Sequence, residues 1–218
     1  VTTPRPSLTE RRKAATLNEI ALAAARLFAE HGAEGAEGTP DAAGAEGITA
    51  EEIARASGVS LRTFYRYFRT KEDAVAPLLA NGVRHWLDEL ADGPRELPVP
   101  QALERSARIA LTAAPGRPAV ALDLVRGILR TARHDPDLLA VWHRVHHDSE
   151  LELARVLADL AGTDADPLEL RLVAAAANTG MRVAMESWAA SEAPPGEAAG
   201  LAARCISELT AGLRLWTD

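Results

Sequence analysis

Between Ile48 and Asp73 the chain reads ITAEEIARASGVSLRTFYRYFRTKED. From Ser60 to Lys71 it holds Arg62, Arg66, Arg69 and Lys71, interleaved with Tyr65 and Tyr67, and no acidic residue. Guanidinium groups donate in a planar fork that fits a guanine edge or a phosphate. Hydroxyls and phenols donate singly to phosphate or base. The chemistry available here is therefore recognition of a polyanion with readable edges, which means nucleic acid. Arg62 can donate to guanine or to phosphate, Thr63 and Tyr65 to either, and Tyr67 to a phosphate. Lys71, at the start of the following helix, adds an ammonium and a helix N-terminus to the backbone contacts.

These groups need two short helices to hold them. Thr49 and Glu52 have capping-box spacing, and the helix they open carries Ile53 and Ala54 inward before Ser57-Gly58. Gly58 permits a sharp reversal, Ser60 caps a helix from Leu61 to about Phe68, and Ile53, Ala54, Val59, Phe64 and Phe68 can close a small core. Ser60, Leu61, Arg62, Thr63, Tyr65 and Tyr67 then lie on the presented face. This is a helix-turn-helix, whose second helix enters the major groove.

The same local signals organise the rest. Ser7 and Glu10 box a first helix with Leu17, Ile20, Ala21, Ala24, Leu27 and Phe28 at helical spacing, and Gly32 is its expected C-cap. Residues 33–47, AEGAEGTPDAAGAEG, are acidic and glycine-rich and read as a loop. Thr70 caps a long helix from Lys71 to about Asp92, in which Pro77 is expected to cause a kink. Further helices are expected over 101–114 with Pro100 at its start, up to Arg133, from Asp135-Pro136 to about Ala161, from Thr163–Pro167 to about Ala190, and over 197–216. The fold class is all-α, about nine helices, with an N-terminal three-helix unit ahead of a helical bundle.

Composition agrees. Hydrophobic residues make up 47% and charged ones 25%, so a packed core is feasible, and no period-2 alternation marks a strand. The net charge of -7 opposes nucleic-acid binding taken alone, but the cations concentrate at Arg5, Arg11, Arg12 and Lys13 and in the Arg62–Lys71 stretch. Cys205 is the single cysteine, no apolar run reaches membrane-spanning length, and no signal-peptide pattern is visible, which points to a cytoplasmic protein with no membrane partner. No nucleophile elbow, P-loop, HExxH or dinucleotide fingerprint occurs, so catalytic residues, cofactors and enzyme activity are not expected. His143, His146 and His147 share metal-ligand spacing but lack supporting ligands, and no metal is expected.

The stretch ITAEEIARASGVSLRTFYRYFRTKEDAV, with the preceding helix around Ile20–Phe28 and Gly32, resembles the DNA-binding signature of the TetR (tetracycline repressor) family over about the first 80 residues. The resemblance implies a helix-turn-helix DNA-binding domain over 1–70 and a ligand-binding and dimerisation domain over 71–218. It implies DNA contacts at Thr49, Ser60, Leu61, Arg62, Thr63, Tyr65, Tyr67 and Lys71, and partners that are operator DNA, a small-molecule effector and a second copy of the chain. The acidic 33–47 insert departs from the family pattern and is expected to weaken non-specific DNA binding by repulsion.

In the bundle, Arg126, Trp142, His143, His146, Asn178, Met181, Arg182 and Met185 are candidates for an effector pocket. Met181, Met185 and Trp188 share one helix face, at i, i+4 and i+7, which suits core or dimer packing better than a pocket. Leu172, Ala176 and Val183 on one helix and Leu209, Leu213 and Trp216 on the last form apolar faces suited to pairing with a symmetry mate. The functional expectation is a repressor released from a palindromic operator by a small hydrophobic molecule, through tilting of the 71–92 helix with a bend at Pro77. The alternatives are a helical small-molecule-binding protein or enzyme on the same fold, or a ligand-independent DNA or partner-protein binder; an enclosed cavity favours the sensor.

Overall fold

The computed structural model describes residues 7–34, 47–112, 120–162 and 165–212. Among the described residues there is no strand, and the α-helices are α1 (Leu8–Glu34), α2 (Ala50–Ala56), α3 (Leu61–Tyr67), α4 (Ala76–Ala91), α5 (Val99–Ala110), α6 (Val120–Ala132), α7 (Pro136–Ala161), α8 (Pro167–Ala190) and α9 (Pro195–Thr210). A 3-10 turn over Glu72–Val75 precedes α4. No described helix is long and apolar enough to cross a membrane.

Local caps explain most of these boundaries. Ser7 and Glu10 exchange side-chain and backbone hydrogen bonds at 2.7 and 3.2 Å, and Thr49 and Glu52 do so at 2.9 and 3.2 Å. Asp135 and Asp166 each accept from the first turn of α7 and α8, ahead of Pro136 and Pro167, which need no donor there. The α2–α3 reversal is a Schellman turn: Val59 N–H donates to Ala54 O at 2.9 Å and Gly58 N–H to Arg55 O at 3.1 Å. It needs a left-handed residue, and Gly58 supplies φ 70°.

The structure corrects three boundaries. Helix α1 continues through Gly32 to Glu34, so Gly32 is not its C-cap; the expected 33–47 loop begins two residues late, and 35–46 lie outside the described residues. The expected helix from Lys71 is a 3-10 turn followed by α4, and Pro77 occupies the first turn of α4. An α-helix leaves its first N–H groups unpaired, so Pro77 removes no helical bond and is no mid-helix kink. Helix α5 begins at Val99, with Pro98 as its cap and Pro100 one position further in, and it ends at Ala110 rather than at 114.

A single apolar core runs the length of the molecule. Ile20, Ala24 and Phe28 of α1 meet Ile53, Phe64 and Phe68 of the helix-turn-helix, and the same cluster continues through Leu79, Trp86 and Leu90 of α4 into α5–α9. Where α1 crosses α6 the backbones nearly touch: a Cβ on Gly127 would lie 2.4 Å from Ala29 Cβ. Thr131 Oγ1, one turn on, donates to Phe28 O at 2.7 Å. On the far side of α6, Arg126 stacks on Trp188 with its guanidinium 3.9 Å from the ring centre and donates to Ala193 O, and Arg130 donates to Ala189 O and Ser191 O at 2.9 Å. These cations meet the carbonyls at the C-terminal end of α8, where the helix dipole favours them. Helix α6 thus joins the helix-turn-helix unit to the α8–α9 corner.

Candidate nucleic-acid interface and effector cavity

The presenting helix α3 is anchored by Phe64, fully buried, with Phe68 stacked at 5.6 Å beyond it. Ser60 caps α3 by accepting from Thr63 N–H at 3.2 Å, and no acid occupies its first turn. With Phe64 facing inward, Arg62, Tyr65 and Arg66 are exposed, as is Arg69 just beyond the helix. Tyr65 is 54% exposed, so it does not pack on α1 and its hydroxyl is available. Leu61 and Tyr67 are half-buried against the core, and Arg66 lies over the Tyr67 ring at 4.9 Å. Thr63 Oγ1 is 2.9 Å from Ser60 Oγ, while Thr49 caps α2. Lys71 Nζ lies 3.7 Å from Glu72, a buried carboxylate, and Asp73 is ion-paired with Arg144. Both acids that follow the basic stretch are therefore matched by cations, and the exposed field around α3 is positive.

Between α1 and the bundle helices lies a partly open cavity of about 500 Å³. Its wall comes from α1 (Asn18, Ala21, Leu22), α4 (Leu78 to Trp86), the end of α5, α6 (Leu122, Val125), α7 (Trp142, His146) and α8 (Met181, Met185). The wall is mostly apolar with a few polar groups, as small-molecule sites are. Trp86 Nε1 donates to Ser106 Oγ at 3.0 Å and Trp142 Nε1 to Glu186 Oε1 at 2.8 Å, which fixes both indoles.

The model of the bacterial regulatory proteins of the tetR family matches residues 41–76, the segment that carries α2, α3 and the 3-10 turn. The HTH-type transcriptional regulator TcmR of Streptomyces glaucescens is 28% identical over 186 residues, which cover 84% of this chain and 77% of that protein. The chain is thus similar, over its helix-turn-helix segment and along most of its length, to TetR-family transcriptional regulators. The whole fold is similar to that of a TetR-family regulator from Rhodococcus sp., with TM-score 0.55 at 14% identity, covering 89% of this chain and 98% of that one. It is also similar to the TetR family repressor AlkX from Dietzia sp., with TM-score 0.52 at 18% identity, covering 90% and 96% respectively.

In this chain the cavity gathers Trp142, His146, Met181 and Met185 from the sequence candidates. The other candidates lie off it, each for a visible reason. Arg126 is held by Trp188 and Ala193 O, and Arg182 pairs with Glu186 at 3.0 Å along one face of α8. His143 is exposed, 4.0 Å from the same Glu186, and Asn178 sits behind His146. Trp188 is buried packing, as one of the two sequence readings had it, whereas Met181 and Met185 face the cavity. Sequence reasoning missed Asn18, Leu22, Leu78, Val83 and Trp86, because it sought the pocket only in 120–190. The apolar spacing of Leu79, Val83 and Trp86 was the signal available.

His143 and His147 are exposed and His146 is buried, so the histidine run is split between faces, and no three metal-binding side chains converge among the described residues. On the outer face of α8 and α9, Leu168 (61%), Leu172 (48%), Val183 (38%) and Leu209 (45%) are exposed, with Ala176 half-buried between them. Leu213 and Trp216 lie outside the described residues. Gly180 allows α9 to approach α8 closely, since a Cβ there would lie 2.9 Å from Ile206 N, and Ile206 is fully buried within the protomer.

Proposed function

We propose that this chain is a repressor that binds a palindromic double-stranded operator as a homodimer and leaves it when a small, mainly apolar effector fills the cavity. The observation that carries this is the composition of the cavity wall: α1 and α4 supply one side and α6, α7 and α8 the other. An effector lodged there pushes against the helix-turn-helix unit and the bundle together. In this reading residues 1–70 form the DNA-binding domain and 71–218 the effector and dimer domain. α3 lies in the major groove with Arg62 and Thr63 toward base edges. Tyr65, Tyr67, Lys71, Ser60, Leu61 and Thr49 line the backbone contacts.

Dimerisation covers the exposed leucines of α8 and α9 and sets two copies of α3 about 34–36 Å apart, one turn of DNA. Acting on DNA, the protein works in the cytoplasm. Operator DNA and effector then weaken each other's binding by the same factor.

The test is fluorescence anisotropy on DNA upstream of the regulator's own gene, over a salt series, with light scattering alongside. Tight binding to one palindrome, lost in Arg62→Ala and in a monomeric Leu172→Glu/Leu209→Glu variant, supports the reading. Equal binding to random DNA, or a dimer unaffected by the leucine changes, sinks it.

A further inference from the structure

The cavity contains a hydrogen-bond acceptor that the protein leaves unused. His146 is 3% exposed, with its ring 4.1 Å from that of Trp142 in an edge-to-face contact. Its Nδ1 lies 3.1 Å from Oδ1 of Asn178 on α8. The orientation of that amide follows from its other end: Asn178 Nδ2 donates to His146 O at 2.8 Å, and turning the amide over would set two oxygens against each other. Ser149 Oγ, 3.0 Å from the same Oδ1, braces it further. Because Oδ1 can only accept, Nδ1 carries the ring proton. Burial pushes the imidazole down to about 4, so the ring is neutral at physiological pH and has that one proton. Nε2 is therefore a bare lone pair, and it meets no hydrogen-bond partner among the described residues.

A buried acceptor without a donor carries an unrelieved desolvation penalty. The Nδ1 edge faces Asn178, and the ring contributes to a cavity wall shared with Met181 and Met185. Nε2 is itself buried, so a ligand reaches it only when the wall yields, and unbranched thioether chains are the kind of wall that shifts to admit one. The indole donors of the wall, by contrast, are already used on Ser106 and Glu186. Among the described lining residues there is no Lys, Arg, Asp or Glu, and the other histidine, His85, has its Nε2 3.9 Å from Glu89, so the lining favours an uncharged ligand.

We infer that His146 Nε2 is the specificity-determining acceptor of the cavity, and that the effector is an uncharged, mainly apolar molecule bearing a hydroxyl or N–H donor. This rests on the effector-cavity reading above. The donor satisfies Nε2, and the apolar body fills the space between Leu22, Leu78, Val83 and Trp86. Ser149 and Asn178 act as positioning residues, holding the tautomer that leaves the lone pair available.

The experiment uses the full-length protein. Long-range ¹H–¹⁵N correlation spectra read the His146 tautomer directly; a proton on Nε2 overturns the inference whatever binds. Calorimetry then compares 2-naphthol, its methyl ether 2-methoxynaphthalene and the anion 2-naphthoate. The naphthol is expected to bind at least about tenfold more tightly than the ether or the anion, and only the naphthol should move the Nε2 resonance. In His146→Phe, naphthol and ether should bind alike; His146→Leu makes the same comparison should the Phe variant fold poorly. Equal binding of naphthol and ether to the wild type overturns the acceptor role and leaves the cavity standing. If no probe binds, the cavity reading fails, and this inference with it.

Discussion

Arg144 of α7 is ion-paired with Asp73, in the 3-10 turn that follows the recognition helix, across 71 positions of sequence. The pair ties α7 of the bundle to the turn that follows α3. Arg144 sits between Trp142 and His146, which line the cavity from the same helix.

The Arg144 side chain is 52% exposed, so breaking the pair should cost less than about 1 kcal/mol of global stability. In the DNA-binding reading proposed above its effect on DNA should be larger in proportion, because an unpaired Asp73 carboxylate would repel phosphates near α3. Arg144→Ala is expected to weaken operator binding about three- to fivefold at low salt, and Asp73→Asn/Arg144→Ala to restore it. Anisotropy and urea unfolding of the same samples separate the two effects; an unchanged affinity in Arg144→Ala would exclude this role for the pair.

Two glycines make opposite predictions. Alanine is favoured over glycine in a helix interior by about 1 kcal/mol. At Gly82 of α4 a Cβ would find nothing within 4 Å, so Gly82→Ala should stabilise by about 0.5–1 kcal/mol. At Gly127 it would lie 2.5 Å from Ala29 Cα, which is backbone and cannot rotate aside. Gly127→Ala should therefore destabilise by about 1–3 kcal/mol despite the better propensity, as α1 is driven off α6. Urea midpoints for the two variants should move in opposite directions.

Burial of His146 also predicts a pH dependence. Its folded pKa, lowered to about 4 mainly by desolvation, lies below the ordinary histidine value of 6.5. The unfolded chain therefore binds more protons than the native one between these values, and stability falls as pH drops through that window. Arg182 and His143 deepen the shift, while Asn178 and Glu186 oppose it. The contribution between pH 7 and pH 5 is about 2 kcal/mol. Urea unfolding at both pH values should show that loss in the wild type and a smaller one in His146→Gln; equal losses would remove His146 as the cause.

What could be read from the sequence was what short-range chemistry decides. The boxes at Ser7–Glu10 and Thr49–Glu52, the cap at Ser60, the helix start at Asp135 and the sharp reversal at Gly58 all act within a few residues, and each appears where its spacing puts it. Gly32 misled because tertiary contacts of α1 outweigh the modest cost of one helical glycine. Pro77 misled because a 3-10 turn was taken for the start of the α-helix it precedes. The cavity was half legible: Trp142, His146, Met181 and Met185 stand out by type, but the contributions of α1 and α4 depend on how helices far apart in sequence cross. The Asn178–His146 lock and the Arg144–Asp73 pair have no sequence signature, since partners 32 and 71 residues apart carry no periodicity.

That Asn18, Ala21 and Leu22 of α1 line the cavity bears on how such regulators can be recombined. A chimera that grafts a foreign DNA-reading unit onto this bundle at residue 70 keeps His146 and Trp142 but takes away one wall of the chamber. If the cavity is the effector site proposed above, ligand response would change along with operator preference, and for a biosensor built on this scaffold the two would not be separate modules: a seam drawn at residue 70 would cut through the cavity wall.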